Sequence, residues 1–133
     1  MRELKRLLEV RRFRELTIRG RLRSLQESAT LLEQEMENER RRLADLRHEW
    51  AMESKVCGIW SKKVLTAHSQ KLAEYCEDDL RISSLIQSKR EALDQVNVQR
   101  SLEIENLRKN LVSQEKLNFL LRENLSGKAS GRC

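Results

Sequence analysis

The sequence has 133 residues, of which 36% are charged and 4% aromatic, and it contains no proline. This balance is typical of long helices and argues against a globular enzyme domain with a large core. No stretch approaches the roughly 18 to 20 consecutive apolar residues that a membrane-spanning helix needs, so we expect no direct membrane insertion.

The N-terminus and the cysteines indicate the cellular compartment. The first residues lack the apolar segment of a secretory signal. Cys57, Cys76 and Cys133 are too few and too widely spaced for a disulfide framework, and none of them forms a CxxC pair. We therefore expect a cytoplasmic protein with reduced thiols.

A heptad seam, meaning a row of side chains three and four residues apart on one helix face, runs from Leu4 to Trp50. Eleven of its fourteen positions are apolar, and the exceptions are Arg11, Glu15 and Glu39. Such a row lets one helix lie along another for its whole length, so a coiled-coil helix is predicted over about residues 2–55. The apolar members are Leu8, Leu22, Ala29, Met36, Leu43 and Trp50 at position a, and Leu4, Ile18, Leu25, Leu32 and Leu46 at position d.

The middle of the chain predicts a turn followed by a second helix. Gly58 is suited to end one helix and Ser61 to cap the next, which puts the turn at about 56–61, with 66–70 and 77–84 as alternatives. The second helix is expected from about 61 to 125, and the small polar residues 126–133 are expected to form a flexible tail. Its expected apolar positions are Leu65, Leu72, Tyr75, Ile82, Ile86, Leu93, Val96, Ile104, Leu107, Leu111, Leu121 and Leu125.

The predicted fold is all-α, with two long helices forming an antiparallel coiled-coil hairpin that is one domain over residues 1–125. The spacing of Ile82, Leu93 and Ile104 is eleven residues, which predicts a local departure from the heptad in the second helix. Folding about Gly58 would place residues opposite each other when their numbers sum to about 116. The predicted neighbours are Arg11 with Glu103 and Glu105, and Glu15 with Arg100.

This register leaves the chain after about Asn110 without a partner on the first helix. That segment is rich in leucine, and an exposed apolar segment is a candidate contact surface. The alternative is that its apolar face closes on a first helix of slightly shifted register.

Basic residues are concentrated at the N-terminus. Residues 1–23 hold nine Lys and Arg against Glu3, Glu9 and Glu15, which accounts for the whole net charge of +6. We interpret this end as a docking surface for an acidic partner. The alternatives are a solvated helix face and a nucleic-acid-binding face, but no aromatic stacking platform supports nucleic-acid binding.

The candidate partner-binding residues combine the basic end, the leucine-rich segment and the two tryptophans. They are Arg6, Arg11, Arg12, Arg14, Arg19, Leu117, Phe119, Leu120, Leu121, Trp50 and Trp60.

The sequence predicts no catalytic, cofactor or metal site, and we do not expect an enzyme. His48 and His68 lack partners at metal-ligand spacing, and there is neither a glycine-rich phosphate loop nor a nucleophile elbow. Trp50 and Trp60 flank the predicted turn, where they would either fill the end of the coiled coil or anchor a partner.

Three segments carry a resemblance to a known family: LKRLLEVRRFRE from Leu4, WSKKV from Trp60 and LAEYC from Leu72. Together with the length, basic start and central turn, they resemble the FliJ/SctO (YscO-type) stalk proteins of bacterial type III secretion. The resemblance covers most of the chain and lies in architecture more than in a motif. It implies a hairpin similar to the γ subunit of rotary ATP synthases, with its terminal end inserted into a hexameric export ATPase and linked to the export gate.

The expected function is therefore that of a non-enzymatic central stalk at the cytoplasmic side of the inner-membrane export apparatus. Its expected partners are the hexameric export ATPase, the export-gate membrane protein and secretion chaperones, with no cofactor and no nucleic acid. The alternative is a structural scaffold, a parallel homodimeric coiled coil in which Gly58 lies inside one continuous helix.

Overall fold

The structure, a computed structural model, consists of two long helices over the part of the chain that it describes. It describes the backbone of residues 2–54 and 62–131 and the side chains of residues 2–53 and 64–125. Helix α1 is Arg2–Ser54 and helix α2 is Lys62–Gly131. The two helices pack against each other and run antiparallel, which confirms the predicted all-α hairpin.

The helix ends differ in part from those expected. Helix α2 continues to Gly131, into the segment predicted to be a tail. Extending an existing helix adds one hydrogen bond for each residue that is fixed, and no proline interrupts the segment. The predicted turn at 56–61, which includes Gly58 and Trp60, lies outside the described residues.

The hairpin divides into two units, each containing a piece of both helices. The terminal unit is Met1–Ser28 with Val96–Cys133, and the inner unit is Ala29–Gln95. Each unit buries a narrow row of side chains between its two helical segments. Leu8 and Ile18 are buried in the terminal unit, and Ala29, Met36 and Ile82 are buried in the inner unit.

The heptad seam of α1 is confirmed at every predicted position. All fourteen residues of the row are buried or half-buried, including the charged Arg11, Glu15 and Glu39, whereas most residues between them are exposed. The three and four spacing keeps one stripe of the helix against its partner along the whole of α1. The long aliphatic stems of the charged members allow them to share that stripe with leucine.

The seam of α2 keeps a regular heptad, so the predicted eleven-residue departure is wrong. Ile104 is 53% exposed, and the half-buried positions around it are Arg100, Glu103 and Leu107. The apolar spacing of the sequence was misleading because polar side chains occupy several seam positions. The other expected apolar positions that the structure leaves exposed are Leu65, Leu72, Leu111 and Leu125, whereas Tyr75, Ile82, Ile86, Leu93, Val96, Leu107 and Leu121 lie in the seam.

Ion pairs between the helices define the register of the inner unit. Lys89 Nζ lies 2.6 Å from Glu35 Oε2, and Lys71 Nζ lies 2.9 Å from Glu53 Oε1. In both pairs the two residue numbers sum to 124, which is close to 125, so the predicted sum of 116 is wrong. The shift brings opposite charges on the two helices within contact distance.

A bidentate pair of the inner unit agrees with this register. Arg47 Nε and Nη2 donate to the two carboxylate oxygens of Asp79, at 2.9 and 3.3 Å. The hydrogen bond from Arg47 is the main reason that the pKa of Asp79 lies below its ordinary value.

The terminal unit has the same shifted register, so its predicted charge neighbours are wrong. Arg21 Nη1 lies 3.7 Å from Glu103 Oε1, and Gln114 contacts Glu15. Arg11 is therefore not opposite Glu103 or Glu105, and Glu15 is not opposite Arg100. Each α1 residue faces a position about two and a half turns further along α2 than predicted, because the intrachain contacts fix a sum near 125.

The segment of α2 beyond Asn110 does have a partner on α1, which corrects the prediction that it projects alone. Gln114 bonds to α1, and Leu117 and Leu121 are half-buried along the same stripe. The alternative interpretation, closure on a first helix of shifted register, is the one observed. The apolar residues that stay exposed here lie beside the seam, not in it.

The register can be tested with pairs of spin labels in the terminal unit. In a variant whose three cysteines are replaced by serine, we expect labels at Thr17 and Lys109 to give a shorter distance than labels at Thr17 and Gln99. The ten residues between the two α2 sites correspond to about 15 Å along the helix. Double electron-electron resonance measures both distances, and the reverse order would contradict the observed register.

The Arg47–Asp79 pair predicts an acid-sensitive component of stability. Because the folded-state pKa of Asp79 is lowered, its contribution is present above the unfolded pKa and is lost as the pH falls through the folded value. We expect the free energy of unfolding of the unaltered chain to decrease below about pH 4. The Asp79→Asn variant should show a shallower decrease, measured by urea denaturation and circular dichroism from acid to neutral pH.

Asp94 provides the matched control, since it is exposed and forms no ion pair with another described residue. The Asp94→Asn variant should keep the pH dependence of the unaltered chain. Equal slopes for the Asp79 and Asp94 variants would show that the Arg47 pair does not contribute.

Candidate protein-interaction surface

The two units of the hairpin differ in charge. By sequence, the terminal unit contains sixteen Lys and Arg against eight Asp and Glu, a formal charge of +8. The inner unit contains eleven Lys and Arg against thirteen Asp and Glu, a formal charge of −2. The excess positive charge of the chain therefore belongs entirely to the terminal unit, which should attract acidic surfaces.

The terminal unit also exposes large apolar side chains outside the seam. Phe13 is 71% exposed and Phe119 is 60% exposed, and Leu7, Val10, Leu16 and Leu120 are exposed as well. Single exposed apolar residues are normal in proteins, but several of these lie close together along one short stretch of α1. Apolar side chains interspersed with arginine are characteristic of protein interfaces.

A groove of about 600 Å³ lies between α1 and α2 within this unit. Its apolar lining is formed by Val10, Phe13 and Ile18 of α1. The neutral polar lining residues are Thr17, Asn106, Asn110 and Ser113. A smaller apolar depression formed by Glu3, Arg6, Leu7 and Val10 adjoins it through Val10.

The charged lining of the groove is entirely basic. It consists of Arg11, Arg14 and Arg21 from α1 and Lys109 from α2, with no acidic lining residue among those described. Arg21 lies 3.7 Å from Glu103, whereas Arg11, Arg14 and Lys109 form no ion pair within the described part of the chain. These cations are thus available to a negatively charged partner.

A polar cluster in the seam lies under the groove. Gln114 Nε2 donates to Asn110 Oδ1 at 2.7 Å and to Glu15 Oε1 at 2.9 Å, and its distance to the Arg11 carbonyl oxygen is 3.5 Å. Asn110 is only 4% exposed. The hydrogen bond from Gln114, followed by that from Arg19, holds the pKa of Glu15 below its ordinary value.

The structure places the predicted partner-binding residues in different environments. Phe119 and Leu120 are exposed on α2, whereas Leu117 and Leu121 lie half-buried in the seam. Trp60 lies outside the described residues. Of the predicted arginines, Arg6, Arg12, Arg14 and Arg19 are exposed and Arg11 is half-buried.

Arg19 and Trp50 both make contacts within the chain. Arg19 Nε lies 3.1 Å from Glu15 Oε2. The Trp50 ring stacks on Tyr75, with ring centroids 4.9 Å apart, and on His68, with centroids 5.2 Å apart. Trp50 therefore contributes to the packing of the inner unit, in agreement with the interpretation that it fills the coiled coil there.

Sequence reasoning missed several residues of the groove. Val10, Phe13, Arg21 and Lys109 were not among the candidates, although four of the seven lining residues on α1 belong to a second row with three and four spacing. On α1 that row is Leu7, Val10, Arg14, Thr17 and Arg21. It is visible in the sequence, but its facing row on α2 can be identified only once the register is known.

The described residues contain no group of three or more His, Cys, Asp or Glu side chains arranged to hold a metal ion. Within the same part of the chain, neither helix has a stretch apolar enough to cross a bilayer. Comparison of the chain with protein-family models, curated proteins and solved structures finds no match.

The polar cluster under the groove should contribute to stability through Gln114. We expect Gln114→Ala to lower the free energy of unfolding by about 1 to 2 kcal/mol, because the side-chain oxygens of the buried Asn110 and the half-buried Glu15 lose their shared donor. Urea denaturation followed by circular dichroism measures the change. The matched variant is Gln99→Ala, since Gln99 is exposed in the same unit, and its effect should stay within about 0.5 kcal/mol. Similar losses for both variants would contradict a structural role of the cluster.

Proposed function

We propose that the chain is a non-enzymatic stalk component of a type III secretion export apparatus, which binds the hexameric export ATPase through its terminal unit. In this proposal it promotes assembly or activity of the ATPase and couples it to the export gate, at the cytoplasmic face of the inner membrane. Secretion chaperones are further proposed partners. The family part of the proposal comes from the sequence resemblance given above.

The observation that supports this function best is the coincidence of charge and exposed apolar surface on the terminal unit. A formal charge of +8 and the exposed side chains of Phe13 and Phe119 belong to the unit that contains both chain termini. A stalk that is held by its terminal end needs a binding surface there, and long-range attraction would speed its association with an acidic surface.

The intrachain pairing of α1 favours the stalk over a parallel homodimeric scaffold. In a parallel dimer the seam of α1 would pack against a second copy, but here residues of α2 cover it in each unit. Contacts such as Lys89 with Glu35 and Gln114 with Glu15 join distant parts of one chain. A second copy would have to displace these contacts.

The proposed function is tested by ATP hydrolysis of the purified export ATPase from the same organism. Adding the chain should raise turnover or promote hexamer assembly. Reversing three exposed charges of the terminal unit, with Arg6→Glu, Arg12→Glu and Arg14→Glu combined, should raise the concentration needed for half-maximal stimulation about tenfold, because attraction to the ATPase is lost.

The matched control is a triple reversal in the inner unit, at Arg40, Arg41 and Arg90, which are exposed like the three test residues. It changes the net charge equally and should leave stimulation near that of the unaltered chain. Light scattering should give a monomer near 15.8 kDa for all three proteins. A stable dimer, or a failure of the unaltered chain to stimulate the ATPase, would contradict the proposal.

A further inference from the structure

We infer that the groove of the terminal unit binds an acidic amphipathic helix of a partner protein, which packs beside α1 and α2 as a third helix. The inference deepens the proposed function, on which it rests only for taking the terminal unit as the docking end.

The spacing of the groove residues favours a helical occupant. Beside the seam of α1 runs the second row from Leu7 to Arg21. Three of the four α2 residues that line the groove, Asn106, Lys109 and Ser113, have the same spacing of three and four. Two parallel rows of this kind form the surface into which a third helix packs in coiled-coil bundles. From Leu7 to Arg21 the row is roughly 20 Å long, about four helical turns.

The chemistry of the groove favours an occupant that is both apolar and acidic. Val10 and Ile18 provide an apolar floor, while Arg14 and Lys109 stand on opposite helices without an acidic partner among the described residues. A helix with leucine on one face and glutamate on its flanks would cover Val10 and Ile18 with its leucines and neutralise Arg14 and Lys109 with its glutamates.

The same charges argue against the other occupants. A second copy of the chain would bring one terminal unit of charge +8 against another, which costs free energy through repulsion. Nucleic acid would neutralise the arginines, but its phosphates would gain nothing from Val10 and from the 71% exposed ring of Phe13. An acidic amphipathic helix would contact both the apolar and the basic residues of the lining.

A labelled synthetic peptide tests the inference without the ATPase. The probe is a fluorescein-labelled helix of roughly 18 residues with leucine at positions a and d and glutamate at e and g. Fluorescence anisotropy should show saturable binding to the full chain. A peptide of the same composition, with its leucines scrambled off one face, should bind at least about tenfold more weakly.

Matched double reversals locate the binding site. The groove variant Arg14→Glu with Lys109→Glu should weaken peptide binding about tenfold or more. The control Arg23→Glu with Arg108→Glu also changes one residue on each helix of the terminal unit, and neither residue lines the groove, so it should change binding less than about twofold.

A second variant is a control for the possibility that the charge reversals unfold the protein. Val10→Gln removes part of the apolar floor without changing the charge, and Val10 is exposed enough for the helix to tolerate it. Val10→Gln should also weaken binding of the acidic peptide, while circular dichroism should show an unchanged melting temperature.

Several outcomes would overturn the inference. They are no peptide binding, equal binding of the ordered and scrambled peptides, equal loss in the groove and control variants, and dimerisation through the groove. The inference would also be overturned if duplex DNA displaced the peptide and the Val10→Gln variant bound the peptide as well as the unaltered chain. That result would indicate a general polyanion site. Peptide binding without ATPase stimulation would overturn the proposed function alone, whereas stimulation without peptide binding would overturn the groove inference alone.

Discussion

The closure of the α1 seam by α2 of the same chain is the contact on which the other features depend. Neither helix has an apolar core of its own, and only five apolar residues among those described are buried: Leu8, Ile18, Ala29, Met36 and Ile82. In proteins most helical stability comes from tertiary packing rather than from helix propensity, so we expect packing of one stripe against the other to be the main source of stability. The same packing decides which flank of each helix faces its neighbour, and therefore where a groove forms.

The sequence was sufficient for the fold and for the seam of α1 because these depend on local spacing. Every one of the fourteen α1 positions lies where the heptad predicts, including the charged Arg11, Glu15 and Glu39. The register is a different kind of quantity, since it depends on pairs of residues distant in sequence. The predicted sum of 116 differs from the observed sum by about two and a half helical turns, which gave a wrong set of charge neighbours.

The seam of α2 was hard to predict because it is polar at many positions. Asp79, Lys89, Arg100, Glu103 and Asn110 occupy places that are leucine or isoleucine in a simple coiled coil. The apolar pattern of the sequence therefore suggested Ile104 and Leu111 as seam residues, but both lie beside the stripe and are exposed. Polar seam residues reduce stability but specify alignment, because each one needs a particular partner across the interface.

The candidate surface was predicted only in part for the same reason. The basic N-terminal segment and the exposed Phe119 and Leu120 could be identified from the sequence, since charge and hydrophobicity are properties of single residues. The groove could not, because Lys109 and Arg14 line the same groove only in the observed alignment of the helices. Its identification needed three-dimensional information about both helices at once.

One residue connects alignment with recognition. Asn110 lies in the seam, where it accepts a hydrogen bond from Gln114, and it also lines the groove. A slip of α2 along α1 would therefore dismantle the groove together with the seam. In a genetic screen, loss of function at Asn110 would reflect either misfolding or impaired binding of the proposed partner helix, whereas substitutions of the exposed groove residues Arg14 and Lys109 would report on that binding.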